Sequence, residues 1–481
     1  MRDQFINLAY LVASVLFILC LRGLSSPEQG RRGIFLGELG MLIAVVATLF
    51  KAEIVSFEWI IAGAILGSLI GTAISLRIPM TQMPERIALS HAFGGLATSL
   101  VGVAEFHRMR DVSDTVAAAA VAIGSEHVLN RLTMGSLGFE VFLGSLTFTG
   151  SLMAFGKLQG FITGAPITWK GQNVMNFAAF GGAIVLLVYQ VVFLAGSPQW
   201  MFFTMCAIGF SLGVLAVLPI GGADMPVVIS LLNSYAGLAA CATGFALRSN
   251  ILIISGALDG SSGLLLSILM SKAMNRSFAN VLFGAFGTAG STAAALPAGK
   301  AAKPYNEATV EDAAAVLTAS QSVIVVPGYG MAVSQAQHAV RDLAAALEKR
   351  GTEVKYAIHP VAGRMPGHMN VLLAEANISY DALFDLEMIN DDFARTDAVL
   401  VVGANDVVNP GAKTDAKSPI FGMPVFNVEQ ARSVIVLKRS MNTGFSGVDN
   451  DLFYLPNTMM VLGDAKKTLI SLFGAVKGDG H

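Results

Sequence analysis

The chain has 481 residues, of which 54% are hydrophobic and only 13% charged, about half the ~25% charged share of soluble domains, and this excludes an ordinary soluble globular protein. Its formal net charge of -2 offers no electrostatic attraction for a polyanion, which sets nucleic acid aside as a partner. The cysteines Cys20, Cys206 and Cys241 all sit in apolar runs, which implies neither a disulfide framework nor a thiolate metal site.

The first apolar run starts just after Arg2, lacks a small-residue cleavage signal and ends on Arg22, so it reads as an uncleaved first span. A hydrocarbon core of ~30 Å takes about 20 residues of helix. Windows of that kind occur at 5–21, 34–50, 57–76, 87–104, 137–156, 174–195, 201–218, 225–247 and 251–271. An odd number of spans puts the termini on opposite sides. On alternate loops Arg22, Arg31, Arg32, Arg77, Arg86, Lys157, Lys170, Lys272 and Arg276 oppose Arg2, Lys51, Arg108, Arg110, Arg131 and Arg248. The positive-inside rule then places the C-terminal part in the cytoplasm. Stretches such as GAILGSLIGTA and SGALDGSSGLLLS permit close helix approach in lipid. Residues 105–136 read as an external loop holding a short helix.

Ionisable and amide groups at membrane depth are costly and mark function by default. They are His91, Glu140, Asn233 and Asp259, with Asp224 at a helix mouth. A histidine near its ordinary pKa suits reversible proton transfer, while a packed structural imidazole is the alternative. Asn233 serves equally to orient water or the imidazole, or to clamp two helices. Glu140 and Asp259 suit either a functional or an interfacial position. His91, His107 and His127 have no ligand spacing, and no metal site is expected.

Residues 276–308 are rich in small residues, Pro and Lys, as linkers are. A short helix capped at Thr309 follows. The strand 322–326, the turn Gly328-Tyr329-Gly330, an amphipathic helix 331–350 and the strand 353–358 form a βαβ unit. Gly328 and Gly330 allow close approach of backbone to a pyrophosphate at a helix N-terminus, although Val333 stands at the third glycine place and a plain βα turn is the alternative. An NAD site carries an acidic residue after the second strand; here that strand ends in His359-Pro360. Lys438, Arg439 and Ser440 follow a later strand and suit a 2′-phosphate, which favours NADP(H). Arg364 lies in a Gly/Pro-rich turn, and Gly403, Asn405, Asp406 and Asn409 follow another strand, with a turn-forming role open for Asp406. The fold expected is a polytopic α-helical membrane bundle of about nine transmembrane helices over 1–275, the linker 276–308, and a doubly wound α/β Rossmann-like domain over 309–481.

From about Leu8 to Gly474 the chain resembles the β subunits of proton-translocating NAD(P) transhydrogenases. The segments that carry the likeness include MTQMPERIALSHAFGGLA, LTFTGSLMAFGKLQG, GGADMPVVISLLNSYAG, VPGYGMAVSQAQ, IHPVAGRMPGHMNVLLAEA, GANDVVNPGA and KRSMNTG. The resemblance implies an NADP(H)-binding domain on a proton channel, in a bacterial inner membrane, working with an alpha subunit that binds NAD(H) in a heteromeric dimer of protomers. It implies direct hydride transfer from NADH to NADP⁺, driven by protons entering the cell. His91 and Asn233 match channel residues of that family, Asp224 its cytoplasmic helix mouth, and Glu140 matches through local context. Lys438 and Arg439 match the 2′-phosphate grip; Asp406 and Arg364 lie near the nucleotide. Tyr329, Met331, Ala332, Val333, Gly403, Asn405 and Ser440 complete the expected cofactor set. Phe445 stands where a tyrosine is expected. Two rivals are a transporter or channel gated by a nucleotide-sensing domain, which needs a filter or substrate cavity, and a self-sufficient membrane dehydrogenase, which needs a second cofactor motif. The sequence shows neither.

Overall fold

In a computed structural model of the chain, the structure describes residues 2–25, 29–51, 57–77, 79, 82–116, 130–164, 166–193, 198–274, 278, 304–365, 367–416, 418, 420–443 and 448–478, without the side chains of 111–116 and 223. The chain divides into two compact units, each taken by itself below.

The described residues form nine helices long and apolar enough to cross a membrane: α1 (Arg2–Leu24), α2 (Gly30–Leu49), α3 (Glu58–Arg77), α4 (Met83–Val116), α5 (Arg131–Gln159), α6 (Gln172–Val192), α7 (Gln199–Val217), α8 (Met225–Ala246) and α9 (Asn250–Ala273); all belong to the first unit except the start of α8 up to Pro226 and the end of α9 from Ile268. All nine expected windows fall on these helices. Large apolar side chains such as Leu66, Leu69, Val185 and Leu265 point outward, as they do when lipid is the solvent. Between α8 and α9 the backbones nearly touch: a Cβ on Gly237 would lie 2.3 Å from the Gly260 nitrogen, so glycine is the residue this crossing requires.

The loop expected over 105–136 is helical at both ends, because α4 runs on to Val116 and α5 starts at Arg131. Glu105 pairs with Arg108 at 2.7 Å one turn on, and Phe106 stacks on Phe202 of α7 with centroids 4.0 Å apart. These contacts carry the helix past the end of its apolar window. At the other end Asn130 caps α5, its side chain accepting from the Thr133 N–H at 2.8 Å. Residues 117–129 lie outside the described ones.

The second unit is built on a six-stranded parallel sheet of β1 (Ser322–Pro327), β2 (Glu353–Ile358), β3 (Leu383–Asp385), β4 (Ala398–Val402), β5 (Ser433–Lys438) and β6 (Thr458–Leu462), in the order β3-β2-β1-β4-β5-β6. That is the doubly wound dinucleotide-binding order, with its switch point between β1 and β4. On one face Ile324, Val326, Val399, Val401, Val434 and Val436 pack with Phe393, Phe426 and Phe453. Alternate residues face the other way and are also buried, on the side where α10 (Val310–Ala319), α12 (Gln337–Glu348) and α13 (Ala465–Lys477) touch β6, β2 and β5 respectively. Thr309 begins α10 with a full capping box to Asp312, as its sequence position predicts.

The single helix expected over 331–350 is two helices: α11 (Tyr329–Val333) and α12. Gln335 adopts a left-handed φ of 51°, the Ala336 N–H reaches back to Met331 O at 3.1 Å and the Gln335 N–H to Ala332 O at 3.1 Å. This is a Schellman ending with a non-glycine residue at its left-handed position, which no Gly or Pro announces in the sequence.

Candidate functional site

Two groups of polar residues stand out, one in each unit. Within the helical unit His91 of α4 lies in side-chain hydrogen-bonding reach of Asn233 on α8. The Asn233 amide donates to Asp259 Oδ1 on α9 at 3.2 Å. Three helices therefore contribute to one polar chain, with Asp259 near the middle of α9. Glu140 is fully buried on α5; its polar neighbours are Thr243 and Glu105. Asp224 ends the 3-10 turn Gly222–Asp224 that leads into α8; this turn groups with the second unit, and Asp224 lines that unit's cleft. Lys157, counted in sequence as a loop charge, belongs to the last turn of α5 and is buried. Among the described residues no cluster of His, Cys, Asp or Glu could hold a metal ion.

Within the sheet unit the C-terminal ends of β1, β4 and β5 open into a cleft, where doubly wound sheets bind ligands. The glycine turn after β1 lies against the loop after β4. Gly328 N–H donates to Val402 O at 2.9 Å and Gly330 N–H to Gly403 O at 2.9 Å. A Cβ on Gly328 would lie 2.3 Å from Ala404 Cα, and one on Gly403, at φ 64°, 2.5 Å from Gly330 Cα. The glycines thus serve first to bring two cleft loops into contact, a packing reason that precedes any approach to a pyrophosphate. Met331 and Ala332 are fully buried in the core under this turn, whereas Tyr329 and Val333 line the cleft.

The cations come from two places, the loop after β2 and the end of β5. The Arg364 guanidinium lies over the Tyr329 ring, 4.5 Å from its centroid, a cation–π contact that presents a flat donor group. Its backbone N–H donates to His368 Nδ1 at 3.0 Å. Burial, reinforced by the Arg364 charge, pushes His368 down to about 4, so this ring is neutral at physiological pH and its Nδ1 is a standing acceptor. Lys438 ends β5 half-buried, with its ammonium over the Phe453 ring at 5.1 Å and hydrogen-bonded to Asn442 O. Burial lowers its pKa, opposed by the charges of Asp406 and Asp449. Arg439 and Ser440 follow it on the cleft wall. Residue 445 lies outside the described ones.

After β4, the Asn405 amide donates to Asp406 Oδ1 at 3.2 Å, and Asp406 opens a 3-10 turn, Asp406–Val408. A buried pair that sequence gives no hint of braces this loop: Asn450 Nδ2 donates to Asn405 O at 2.9 Å, and Asn409 Nδ2 donates to Asp449 O at 3.0 Å. Asn442 and Thr443, which lie in the KRSMNTG segment but are not singled out there, also line the cleft, as does Asp464, which no motif carries. At the end of β2, His359 is buried, its Nε2 lies 2.8 Å from Pro424 O, and burial takes its pKa down to about 4. No carboxylate stands at the end of β2 to take ribose hydroxyls as in an NAD site. The donor set of Lys438, Arg439, Ser440 and Arg364 fits a phosphorylated dinucleotide.

Comparison with known proteins agrees in kind. Residues 6–475 match the family described as NAD(P) transhydrogenase beta subunit. The chain is 49% identical over 461 residues to two curated proteins of Rhodospirillum rubrum, each named NAD(P) transhydrogenase subunit beta, covering 95% of this chain and 96% of each relative.

Proposed function

The chain belongs to the NAD(P) transhydrogenase beta subunit family, a family of oxidoreductases that implies NADP(H) and NAD(H) use and an alpha subunit partner; from that premise we propose that this subunit binds NADP(H) and joins hydride transfer to proton movement. In this reading residues 309–481 hold NADP(H), 276–308 link, 1–275 carry protons, and the alpha subunit holds NAD(H). The observation that carries it is the pairing of a cationic β5 end with a β2 end that has no carboxylate.

Bound NADP supplies a carbon that accepts or gives up hydride. The chain's own residues position it. Lys438, Arg439 and Ser440 would hold the 2′-phosphate, Lys438 giving up its bond to Asn442 O, and Arg364, flat on Tyr329, would offer its donors near the nucleotide. In the bundle, His91 takes up and releases the proton, Asn233 orients it, and Asp259 accepts from Asn233. Each ~100 mV of membrane potential is worth ~2.3 kcal/mol per charge moved, roughly a fifty-fold shift in nucleotide ratios. Protons entering the cell therefore favour NADPH formation. In this reading the sheet unit faces the cytoplasm, which the excess of basic residues on one set of loops supports, and the membrane is a bacterial inner membrane, as the family likeness suggests. The assembly is a dimer of alpha–beta protomers.

Calorimetric titration of the purified chain tests the reading: NADP(H) binds at least a hundredfold more tightly than NAD(H). Equal affinities would contradict it.

A further inference from the structure

Lys157 is a membrane-helix lysine whose ammonium is spent on backbone. Its Nζ donates to Leu218 O at 2.5 Å and to Ile220 O at 2.8 Å, the carbonyls that leave the end of α7. Two side chains of α6 converge on the turn just before: Gln172 Nε2 lies 3.3 Å and Asn176 Nδ2 3.5 Å from Leu215 O. The Ile167 N–H also donates to Leu218 O at 3.1 Å. Lys157, Gln172 and Asn176 are all buried.

A helix leaves its last four carbonyls without partners, and these carry the negative end of its dipole. Helices commonly close that end with their own backbone. Here Leu218 N–H closes on Val214 O at 3.0 Å and Ile220 N–H on Val217 O at 3.2 Å, and α5 and α6 add a cation and two amides from outside to the carbonyls of Leu215, Leu218 and Ile220. The chain then passes through Gly221 and the turn Gly222–Asp224 into α8, which carries Asn233. Three residues separate the last clamped carbonyl, Ile220, from Asp224. The α7 end is therefore a fixed post, and the short turn behind it is the next place where the chain can bend.

We propose that Lys157, with Gln172 and Asn176, is a positioning clamp that anchors α7 so that displacement of the Gly222–Asp224 turn is delivered to α8, and with it to Asn233, instead of being absorbed by fraying of α7. The inference rests on the proton-coupled reading above. Lys157 touches neither the nucleotide cleft nor the His91–Asn233–Asp259 chain, so its effect falls on coupling.

The test uses the alpha–beta holoenzyme in sealed vesicles, with protons moved and hydride transferred measured together. Lys157→Met is expected to lower the protons-per-hydride ratio at least threefold with NADP(H) affinity unchanged, and Lys157→Arg, which keeps charge and donors, to restore it. Gln172→Leu, which removes one of the two amides on Leu215 O and leaves Asn176 in place, is expected to give a smaller fall. A wild-type ratio in Lys157→Met, or equal losses of hydride transfer and proton movement, overturns the clamp. If Lys157→Met does not accumulate in membranes, Gln172→Leu decides, and its retention of the wild-type ratio overturns the clamp. A wild-type holoenzyme that moves no protons refutes the underlying reading instead.

Discussion

Lys438→Met separates a phosphate-binding lysine from a solvated strand end. The variant keeps the aliphatic stem over Phe453 and removes the ammonium. A hydrogen bond to a charged group contributes ~1.5–3 kcal/mol, and ~1.4 kcal/mol is tenfold in affinity. Two features of the free protein reduce the gain. The ammonium already bonds Asn442 O, and Asp406 and Asp449 lie near enough to act on its charge, so a phosphate competes with partners in place. The lower end of the range applies, and the Kd for NADP(H) rises about tenfold to thirtyfold. The affinity for NAD(H), which has no 2′-phosphate, changes less than about threefold. Calorimetric titration with both nucleotides at two salt concentrations checks this, since a contact between charges weakens with screening. A parallel loss for NAD(H), or no loss for NADP(H), would refute the assignment and return Lys438 to a loop-pinning role through Asn442.

Gly403→Ala places a side chain at φ 64° with its Cβ 2.5 Å from Gly330 Cα; about 3 kcal/mol of destabilisation and a weakened NADP(H) site follow, and an unchanged melting temperature with full affinity would show that the two loops yield freely. Asn450→Ala strands Asn405 O and the Leu452 N–H, costs about 2 kcal/mol, and raises the NADP(H) Kd more than the Kd for NAD(H); a variant as stable as the parent refutes the brace. His359 and His368 both have folded values near 4 against 6.5. Their stabilisation is present in full above pH 6.5 and is lost as pH falls toward about 4, because the unfolded chain takes up protons first, by roughly 3 kcal/mol at most for each ring. Hydrogen exchange of β1 and β4 amides between pH 7 and 4.5, corrected for intrinsic rates, measures the loss. His359→Gln reduces the slope, and a parent protein with no slope would sink the point.

The nine spans were legible because lipid demands a long apolar window from each helix by itself, a constraint local enough to read one segment at a time. The doubly wound class was legible for a similar reason: apolar β-branched runs and a glycine turn mark β1, β2, β4 and β5 singly, while the strand order, a matter of pairing between them, came only with the structure. What escaped depends on contacts between distant segments. Asp259 meets Asn233 across two helices, Asn450 reaches the loop after β4, and Lys157 turns from its position near a helix end onto another helix's carbonyls. The continuation of α4 past its apolar window depends on the stacking of Phe106 on Phe202. The break at Gln335 escaped because a left-handed glutamine has no compositional mark.

The most direct measurement records lumenal pH in sealed vesicles holding this chain and the alpha subunit while NADPH reduces an NAD⁺ analogue. The account predicts a pH change that stops with hydride transfer, collapses with an uncoupler and is lost in His91→Ala while NADPH still binds. Steady nucleotide turnover with a constant lumenal pH would contradict it.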